Sequence, residues 1–530
     1  MATMNQYANI PVEKFQFATK NDLQHDSKFA TKPVSYFQGA FKRFCKNKGA
    51  VVAAIIIAIL VLFAIIAPFC TPYDAAYKDQ VFSSVRPKND WFAETDFWDG
   101  CRVKEVGYGS YMQDVALGLE IGKDVIKNNE VEISEDGNIY TYRFDTYAGV
   151  GFGKYKVITE EEYLDIQRYQ NETGRQVLYP MANPYDREKK GRERVIAEQD
   201  KDNANLYYKT KIEKGKTVMV YDENGMPIPN YWEHIAGNPS SLAVDYNSLR
   251  IEGDGIEKDG KLYQYHYGRK VDGGIEVRAE YYEYYTYLHT QVYKDGISEP
   301  NFLFGTTSAG KDIFACLSLG ARFSFIFAIV VAVVNLIFGA VWGAISGYYG
   351  GKIDLFMERF TDIWGRIPTM IVITLLKYHM GSSSHVLVLF IAYFLTGWIG
   401  MASTTRMQFY RFKNQEYVLA ARTLGASDWR IMFKHIFPNG IGTIITSFAF
   451  VIPGMIYSET SLTYLGIINL ESGNITSVGT LIAAGQADMM FAPYVALFPT
   501  VFLALLMLCF NLFANGLRDA FNPSLRGSED

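Results

Sequence analysis

The sequence predicts an α-helical polytopic membrane protein of six transmembrane helices, with an α+β domain inserted between the first and the second. Three observations carry that reading. One apolar run lies near the N-terminus and five more follow from Cys316 onward. The stretch from Thr71 to Pro300 between them is polar, rich in Tyr, Gly, Asp, Glu and Lys. In the short stretches that flank the apolar runs, Lys and Arg gather on one side. Averages hide this division: 49% of the 530 residues are hydrophobic and 20% charged. The net charge of -5 gives no sign of a nucleic-acid partner.

Residues 1–48 precede the first run. "GAVVAAIIIAILVLFAIIAPF", from Gly49, carries no charge and predicts a membrane helix over residues 49–69. The long segment ahead of it, and the lack of a small-residue cleavage site behind it, argue for a retained span rather than a signal peptide. Later spans are expected at Leu317–Ser346, Ile363–Tyr378, His385–Ser403, Ile441–Tyr457 and Pro493–Asn515. Ile363–Tyr378 is the least regular, with Arg366 and Pro368 near its start and Lys377 at its end. A charge at mid-bilayer costs about 2.5–3.5 kcal/mol, so those side chains must reach the interfaces.

Basic "FKRFCKNKG" precedes the first span, and Arg406, Arg411, Lys413, Arg422, Arg430 and Lys434 follow the fourth. Ile467–Phe491, between the fifth and sixth, has no Lys or Arg. The positive-inside rule then places both termini and the loop 404–440 in the cytoplasm, and residues 70–300 outside.

The outer stretch contains β-like pieces, "NIYTYRFDTY", "KTVMVYDENG" and "GIEVRAEYYEYYTYLHTQVY", with Asp-Gly and Asn-Gly turn pairs. "TEEEYLDIQRYQNETG" reads as a helix capped by Thr159 and ended by Gly174, and "NPYDREKKGRERV" as a solvated loop. Its tyrosines suit either half-buried sheet positions or a contact surface for a partner. His234, His266 and His289 have no metal-ligand spacing. "TKIEKGKT" approaches a phosphate-binding loop, but Thr210 occupies the first glycine's position. No nucleophile–base pair is evident, so no enzyme chemistry is expected of this chain. None of the five cysteines forms a CxxC. Cys45, Cys316 and Cys509 lie in or beside apolar segments. Cys70 and Cys101 fall on the outer side as candidates for a disulfide, which spacing alone leaves open.

"EYVLAARTLGASDWRIMFKHIFPN", Glu416–Asn439, lies between the fourth and fifth spans. Leu419, Ala420 and Ala421 favour a helix that Gly425 ends. Ser427 or Asp428 offers an N-cap for a second short helix running to Pro438. Small side chains at Ala420, Ala421, Gly425 and Ala426 let another backbone approach. Periodicity alone fits an ordinary interfacial loop equally well. The residues go further: "EYVLAARTLGAS" and the ending "HIFPN" resemble the EAA loop of binding-protein-dependent ABC importers. The form is that of the C-type permease subunit of bacterial oligopeptide and dipeptide importers. "NFLFGTTSAGKDIFACLSLGARFSF", "GYYGGKIDLFMERFTDI", "ETSLTYLGI" and "FNLFANGLRDAFNPSL" extend the resemblance over Asn301–Arg526. "KNKGAVV" and "APFCTPYD" extend it to the first span. Thr307, Lys311 and Ala514–Asn515 depart from the family's usual residues.

The resemblance implies an ABC importer permease fold in a bacterial cell membrane, with a five-helix core over residues 301–517 and a tail over 518–530. It implies half of a translocation pathway for oligopeptides or dipeptides, coupled to a separate ATPase through Glu416, Ala420, Ala421, Gly425, Ala426 and Ser427. The implied partners are a second homologous permease, two ATP-binding subunits, an extracellular substrate-binding protein and membrane lipid. ATP and Mg would sit on the ATPase subunits, with no cofactor on this chain. Asp312, Arg322 and Glu459 are candidates for an outer gate or substrate path. Relatives have a short connection where residues 70–300 stand, which marks these as an insertion. The rival reading is a membrane-anchored receptor or exporter-type protein that binds a ligand through its outer domain. Such a protein has no need of the helix–Gly–helix, or of Pro453, Gly454 and Asn335 within its spans.

Overall fold

A computed structural model describes residues 36–92, 98–121, 123–150, 154–173, 268–381, 385–471 and 475–521, with residues 175 and 177–179 and short strands between 210 and 264. The segment before residue 36, "NPYDREKKGRERV", His266 and the tail after residue 521 lie outside the described residues.

In a bilayer, a helix seeks protein contact with its small side chains and leaves bulky apolar ones to lipid. The first two helices, α1 (Tyr36–Lys46) and α2 (Lys48–Cys70), begin that pattern. Asn47 caps α2 by accepting the Ala50 N–H at 3.2 Å. Ala50, Ala53, Ala64 and Ala67 face inward, whereas Val52, Ile55, Ile59, Leu62 and Ile66 stay exposed.

The described residues of the stretch that the sequence reads as an insertion form small antiparallel sheets. Strands β1 (Cys101–Gly107), β2 (Ile126–Ile133) and β3 (Ile139–Asp145) form one in the order β1-β3-β2, covered by α3 (Tyr108–Ile121). Beyond it come β4 (Lys154–Ile158), α4 (Glu160–Thr173) and β5 (Leu178–Tyr179). Thr159 caps α4 through its hydroxyl, which accepts the Glu162 N–H at 3.1 Å, as the sequence predicts. Short hairpins follow: β6 (Thr210–Glu213) with β7 (Lys216–Met219), β8 (Trp232–His234) with β9 (Ala243–Asp245), and β10 (Gly255–Lys258) with β11 (Lys261–Gln264). A further sheet joins β12 (Gly268–Val271), β13 (Gly274–Ala279) and β4, with β5 also pairing β13.

One expected strand is corrected. "GIEVRAEYYEYYTYLHTQVY" is a strand only as far as Ala279. It continues as α5 (Tyr281–Tyr287) and a π-helical turn, Leu288–Tyr293. The tyrosines are spaced three apart on two faces rather than alternating. Tyr284 and Tyr287 enter the core between α4 and β13, and Tyr282 and Tyr285 enter a second core with Phe82, Tyr147 and Phe302. A helix buried on both sides carries aromatics on both.

That second core fastens the insertion to the membrane helices. Tyr494 donates to the Val85 carbonyl at 2.9 Å, and Val85 N–H to Thr306 Oγ1 at 3.0 Å. The Trp98 ring stacks with both Phe304 and Phe498, at centroid distances of 5.8 and 5.6 Å.

The membrane part comprises α6 (Ile313–Tyr349), α7 (Gly351–Trp364), α8 (Thr369–Met380), α9 (His385–Gly397), α10 (Ile399–Phe412), α11 (Glu416–Thr423), α12 (Asp428–Arg430), α13 (Phe437–Tyr464), α14 (Val478–Ala487) and α15 (Tyr494–Phe521). Among the described residues, 5 helices are long and apolar enough to cross a membrane, not the six expected. The expected span Ile363–Tyr378 is broken: α7 ends at Trp364, Pro368 precedes α8, and α8 has only 12 residues. At 1.5 Å per residue such a helix falls well short of a hydrocarbon core of about 30 Å.

Helix α6 packs closely on α10, and three glycines four residues apart permit it. A Cβ on Gly339, Gly343 or Gly347 would lie 2.5, 2.2 or 2.7 Å from the backbone oxygens of Trp398, Ala402 and Arg406 respectively. This is the small-xxx-small packing of membrane helices. Between the fifth and sixth expected spans, α14 turns back into the bundle under a capping box of Ser477 and Thr480. Gly479 and Gly485 press it against α13 and α15.

Candidate functional site

The site begins with α11. Helix formers run from Glu416 to Thr423, with Glu416 placing negative charge at the positive end of the helix dipole. Gly425 then takes φ +80°, in the left-handed region. Gly425 N–H bonds the Arg422 carbonyl at 3.0 Å and Ala426 N–H the Ala421 carbonyl at 3.1 Å, a Schellman end that satisfies two otherwise orphaned carbonyls. Ser427 is the N-cap of α12, although its hydroxyl makes no capping bond.

The expected second helix does not stop at Pro438. Asp428–Tyr464 is one continuous helical stretch, passing through a π-helical segment over Ile431–Ile436. Pro438 stands just after the π-helical segment, at the second residue of α13, and the helical stretch runs through it. The loop is therefore a single short helix docked against the head of a membrane-spanning one.

Exposure divides the predicted contact residues. Glu416, Ala420, Gly425 and Ser427 face out, while Ala421 and Ala426 are half-buried. Two neighbours that the sequence reading passed over are more prominent: Leu424 is 87% exposed and Trp429 61%. Apolar side chains in an otherwise polar loop were the signal for them. Beneath this knuckle, Val418, Ile431, Met432 and Ile436 pack on Ala344 and Tyr348 of α6 and Phe409 of α10. Tyr348 donates to Asp428 Oδ1 at 2.6 Å, and Arg422 donates to the Tyr348 oxygen at 3.3 Å. Both sides of the Gly425 turn are thereby pinned to the end of α6.

A second lock holds α7. Arg406 grips Asp354 with two hydrogen bonds, at 2.6 and 2.7 Å, and reaches Glu358 at 2.8 Å. Ser346 and Tyr410 donate to the same Asp354 carboxylate. The Arg406 bonds are the largest cause of an Asp354 pKa held below the ordinary carboxylate range. So α6, α7 and α10 meet at one ion pair on the same side as α11.

Residues 339–527 match the family "Binding-protein-dependent transport system inner membrane component", and residues 35–87 match the "N-terminal TM domain of oligopeptide transport permease C". The oligopeptide transport system permease protein OppC of Bacillus subtilis is 37% identical over 223 residues, 42% of this chain and 72% of that one. The dipeptide transport system permease protein DppC of Lactococcus lactis is 38% identical over 244 residues, covering 46% and 69%. The chain belongs to the binding-protein-dependent ABC transporter permeases. It is a multi-pass bacterial membrane permease component and not an ATPase, and its family works in general with an ATPase and a binding protein.

The permease's other predicted residues are placed differently from one another. Asp312 is a buried N-cap of α6, accepting from Phe314 and Ala315 N–H at 3.2 and 3.1 Å; burial pushes its carboxyl up to about 7. Glu459 is wholly buried on α13, where Ser324 donates to it at 2.8 Å. Neither reaches a surface. Arg322 is half-buried on α6 and pairs with no carboxylate among the described residues. The candidate disulfide is overturned: Cys70 and Cys101 are both free thiols. Cys70 ends α2 exposed, whereas Cys101 opens β1 in register with Asp145 and is held in the sheet. Lys311, one of the departures from the family pattern, forms an ion pair with Glu471.

Proposed function

We propose that this chain forms half of the translocation pathway of an ATP-driven importer of oligopeptides or dipeptides, coupled to separate ATP-binding subunits through α11 and the Gly425 turn. The observation that carries the reading is the exposed Leu424–Gly425–Trp429 knuckle, fixed to α6 by Tyr348 and Asp428. A permease shifts between outward- and inward-open arrangements, and ATP shifts that balance only through an element that binds differently in each. A rigid helix locked to a membrane helix transmits such a bias; a free loop does not. Glu416, Ala420, Gly425 and Ser427 offer the polar and close-approach part of the contact, and the exposed Leu424 and Trp429 the apolar anchors that docking would bury.

The names of the relatives support peptides as cargo. On this reading a second, homologous permease completes the pathway and two ATP-binding subunits, carrying ATP and Mg, dock below. A binding protein delivers cargo from outside, both termini are cytoplasmic, and residues 70–300 face out. Among the described residues, Arg322 is the predicted pathway residue without a partner, which suits a position facing the second permease or the path.

Purification from native membranes in mild detergent, with copurifying chains counted by mass spectrometry, tests this. The parent chain is expected to bring a second permease and ATP-binding subunits, and Leu424→Asp to lose the latter while inserting normally. Recovery of the chain alone, with no ATPase after crosslinking, would turn the reading toward a receptor.

A further inference from the structure

The insertion carries an open cavity of about 640 Å³ between the β1-β3 sheet, β4, α5 and the Gln80–Val85 segment. Arg102, Lys104 and Lys156 line it, against one carboxylate, Asp114. That carboxylate is already engaged, by Lys104 at 2.5 Å and by the Tyr142 hydroxyl at 2.5 Å. Arg102 and Lys156 have no ion-pair partner among the described residues. Asp79, behind the Tyr281 wall, accepts the Val81 and Phe82 N–H groups at 2.9 and 3.4 Å and the Tyr281 hydroxyl at 3.1 Å, so it too is occupied.

Aromatic faces hold the cations in place. Lys104 Nζ lies 3.4 Å from the Phe144 ring centre, Arg102 5.5 Å from the same ring, and Lys156 Nζ 4.1 Å from that of Tyr284. Burial is the largest influence on Lys104 and Lys156 and pulls both below the ordinary lysine value. An arriving anion restores what desolvation took away. The cavity's rim is joined to the heads of α6 and α15: Ser84 N–H bonds the Thr307 carbonyl at 3.0 Å, and Val85 is held by Thr306 and Tyr494.

We infer that this groove is a binding site for short peptides, with Arg102 and Lys156 receiving the free C-terminal carboxylate and Phe144 and Tyr281 bordering the chain. The inference rests on the peptide reading above. The concave shape and the volume match a small ligand of a few residues. A docking protein needs a surface of roughly 800 Å² on each partner, which a recess of this size does not offer.

The test uses the full-length permease assembled with its ATP-binding subunits in lipid nanodiscs, without the binding protein, and calorimetric titration with trialanine as free acid and as C-terminal amide. The free acid is expected to bind. The amide, Arg102→Gln and Lys156→Gln are each expected to weaken binding by about tenfold or more, the loss of one charge-assisted contact. Unchanged thermal unfolding of both variants shows that the domain is intact. Equal affinity for acid and amide, wild-type affinity in the double variant, or no peptide binding alongside capture of an acidic protein would each overturn the site. ATP-dependent uptake by the same assemblies separates the two readings. Uptake with no charge-sensitive binding removes the groove and leaves the importer. Binding in a chain that recruits no ATPase removes the importer and leaves the groove.

Discussion

Gly343 sits where α6 and α10 come closest, and a side chain there has nowhere to go. Its Cβ would meet the Ala402 carbonyl oxygen and the Arg406 nitrogen at 2.2 and 2.9 Å, both rigid backbone atoms. Gly343→Leu is expected to cost at least the 1–3 kcal/mol or so typical of overpacking, seen as a lower unfolding temperature in detergent. A stability equal to wild type would mean that the helices are not packed this way. The spacing Gly339-Gly343-Gly347 is legible in the sequence as a helix-packing stripe. Glu280 makes a second residue-scale case. It caps α5, accepting Tyr282 and Glu283 N–H at 3.3 and 2.8 Å, while burial, partly offset by Lys123, pushes its carboxyl up to about 7. Raising a carboxyl's pKa on folding means the folded state holds its proton more tightly. Stability is then greatest below the unfolded value near 4.3 and falls as pH rises through about 7. The insertion is expected to unfold more readily at pH 8 than at pH 6, with Glu280→Gln flattening that slope. Hydrogen exchange in α5 reads it out; the same slope in both proteins would remove Glu280 as the cause. No spacing in the sequence predicts this, because the burial comes from two cores meeting across one helix.

At the scale of elements, α7 depends on a partner far along the chain. Its buried Asp354 is satisfied chiefly by Arg406 of α10. Arg406→Ala leaves that carboxylate with only hydroxyl donors, at a cost of about 2–3 kcal/mol for a charged hydrogen-bonded group. Because α11 follows directly from α10, ATPase stimulation by cargo is expected to fall severalfold in Arg406→Ala. Asp354→Asn, which retains acceptor and donor atoms, should be milder. Full coupling in Arg406→Ala would separate α7 from transmission. The element scale is also where the sequence was most informative and most misleading. The break at Gly425 was legible because the chain demands a left-handed residue there. The end expected at Pro438 is not there, because a π-helical segment carries the helix directly into α13 at that point. The Ile363–Tyr378 span failed for a different reason. Its composition is apolar enough, but the stretch around Pro368 separates the end of α7 from the short apolar α8.

For the whole molecule, the order of apolar and polar stretches was enough to set long apolar helices on either side of a polar, sheet-containing stretch, with a short helix ended by Gly425 between two of them. How the insertion is joined to the bundle was not legible, since every joining contact links residues far apart in the chain. The join is built from the family-like flanks: Lys88 N–H bonds the Phe302 carbonyl at 3.2 Å, Thr306 N–H the Val85 carbonyl at 3.1 Å, and Asp79 N–H the Gly310 carbonyl at 3.0 Å. These bonds close the two ends of the stretch between α2 and α6 at its base without the residues beyond them, while Trp98 and Tyr147 add contacts to Phe304, Phe498 and Phe302. Replacing residues 89–296 with a short flexible linker is therefore expected to leave membrane insertion and ATPase recruitment intact. Loops of very different length close at similar entropic cost, which favours such a graft. Peptide uptake, in contrast, is expected to fall severalfold, because the cationic groove and the surface nearest the mouth are lost together. Measured side by side in cells, uptake that stays at the parent level would show that cargo enters the pathway without meeting the insertion. A chain that fails to recruit the ATPase would instead make the insertion part of the permease's own framework.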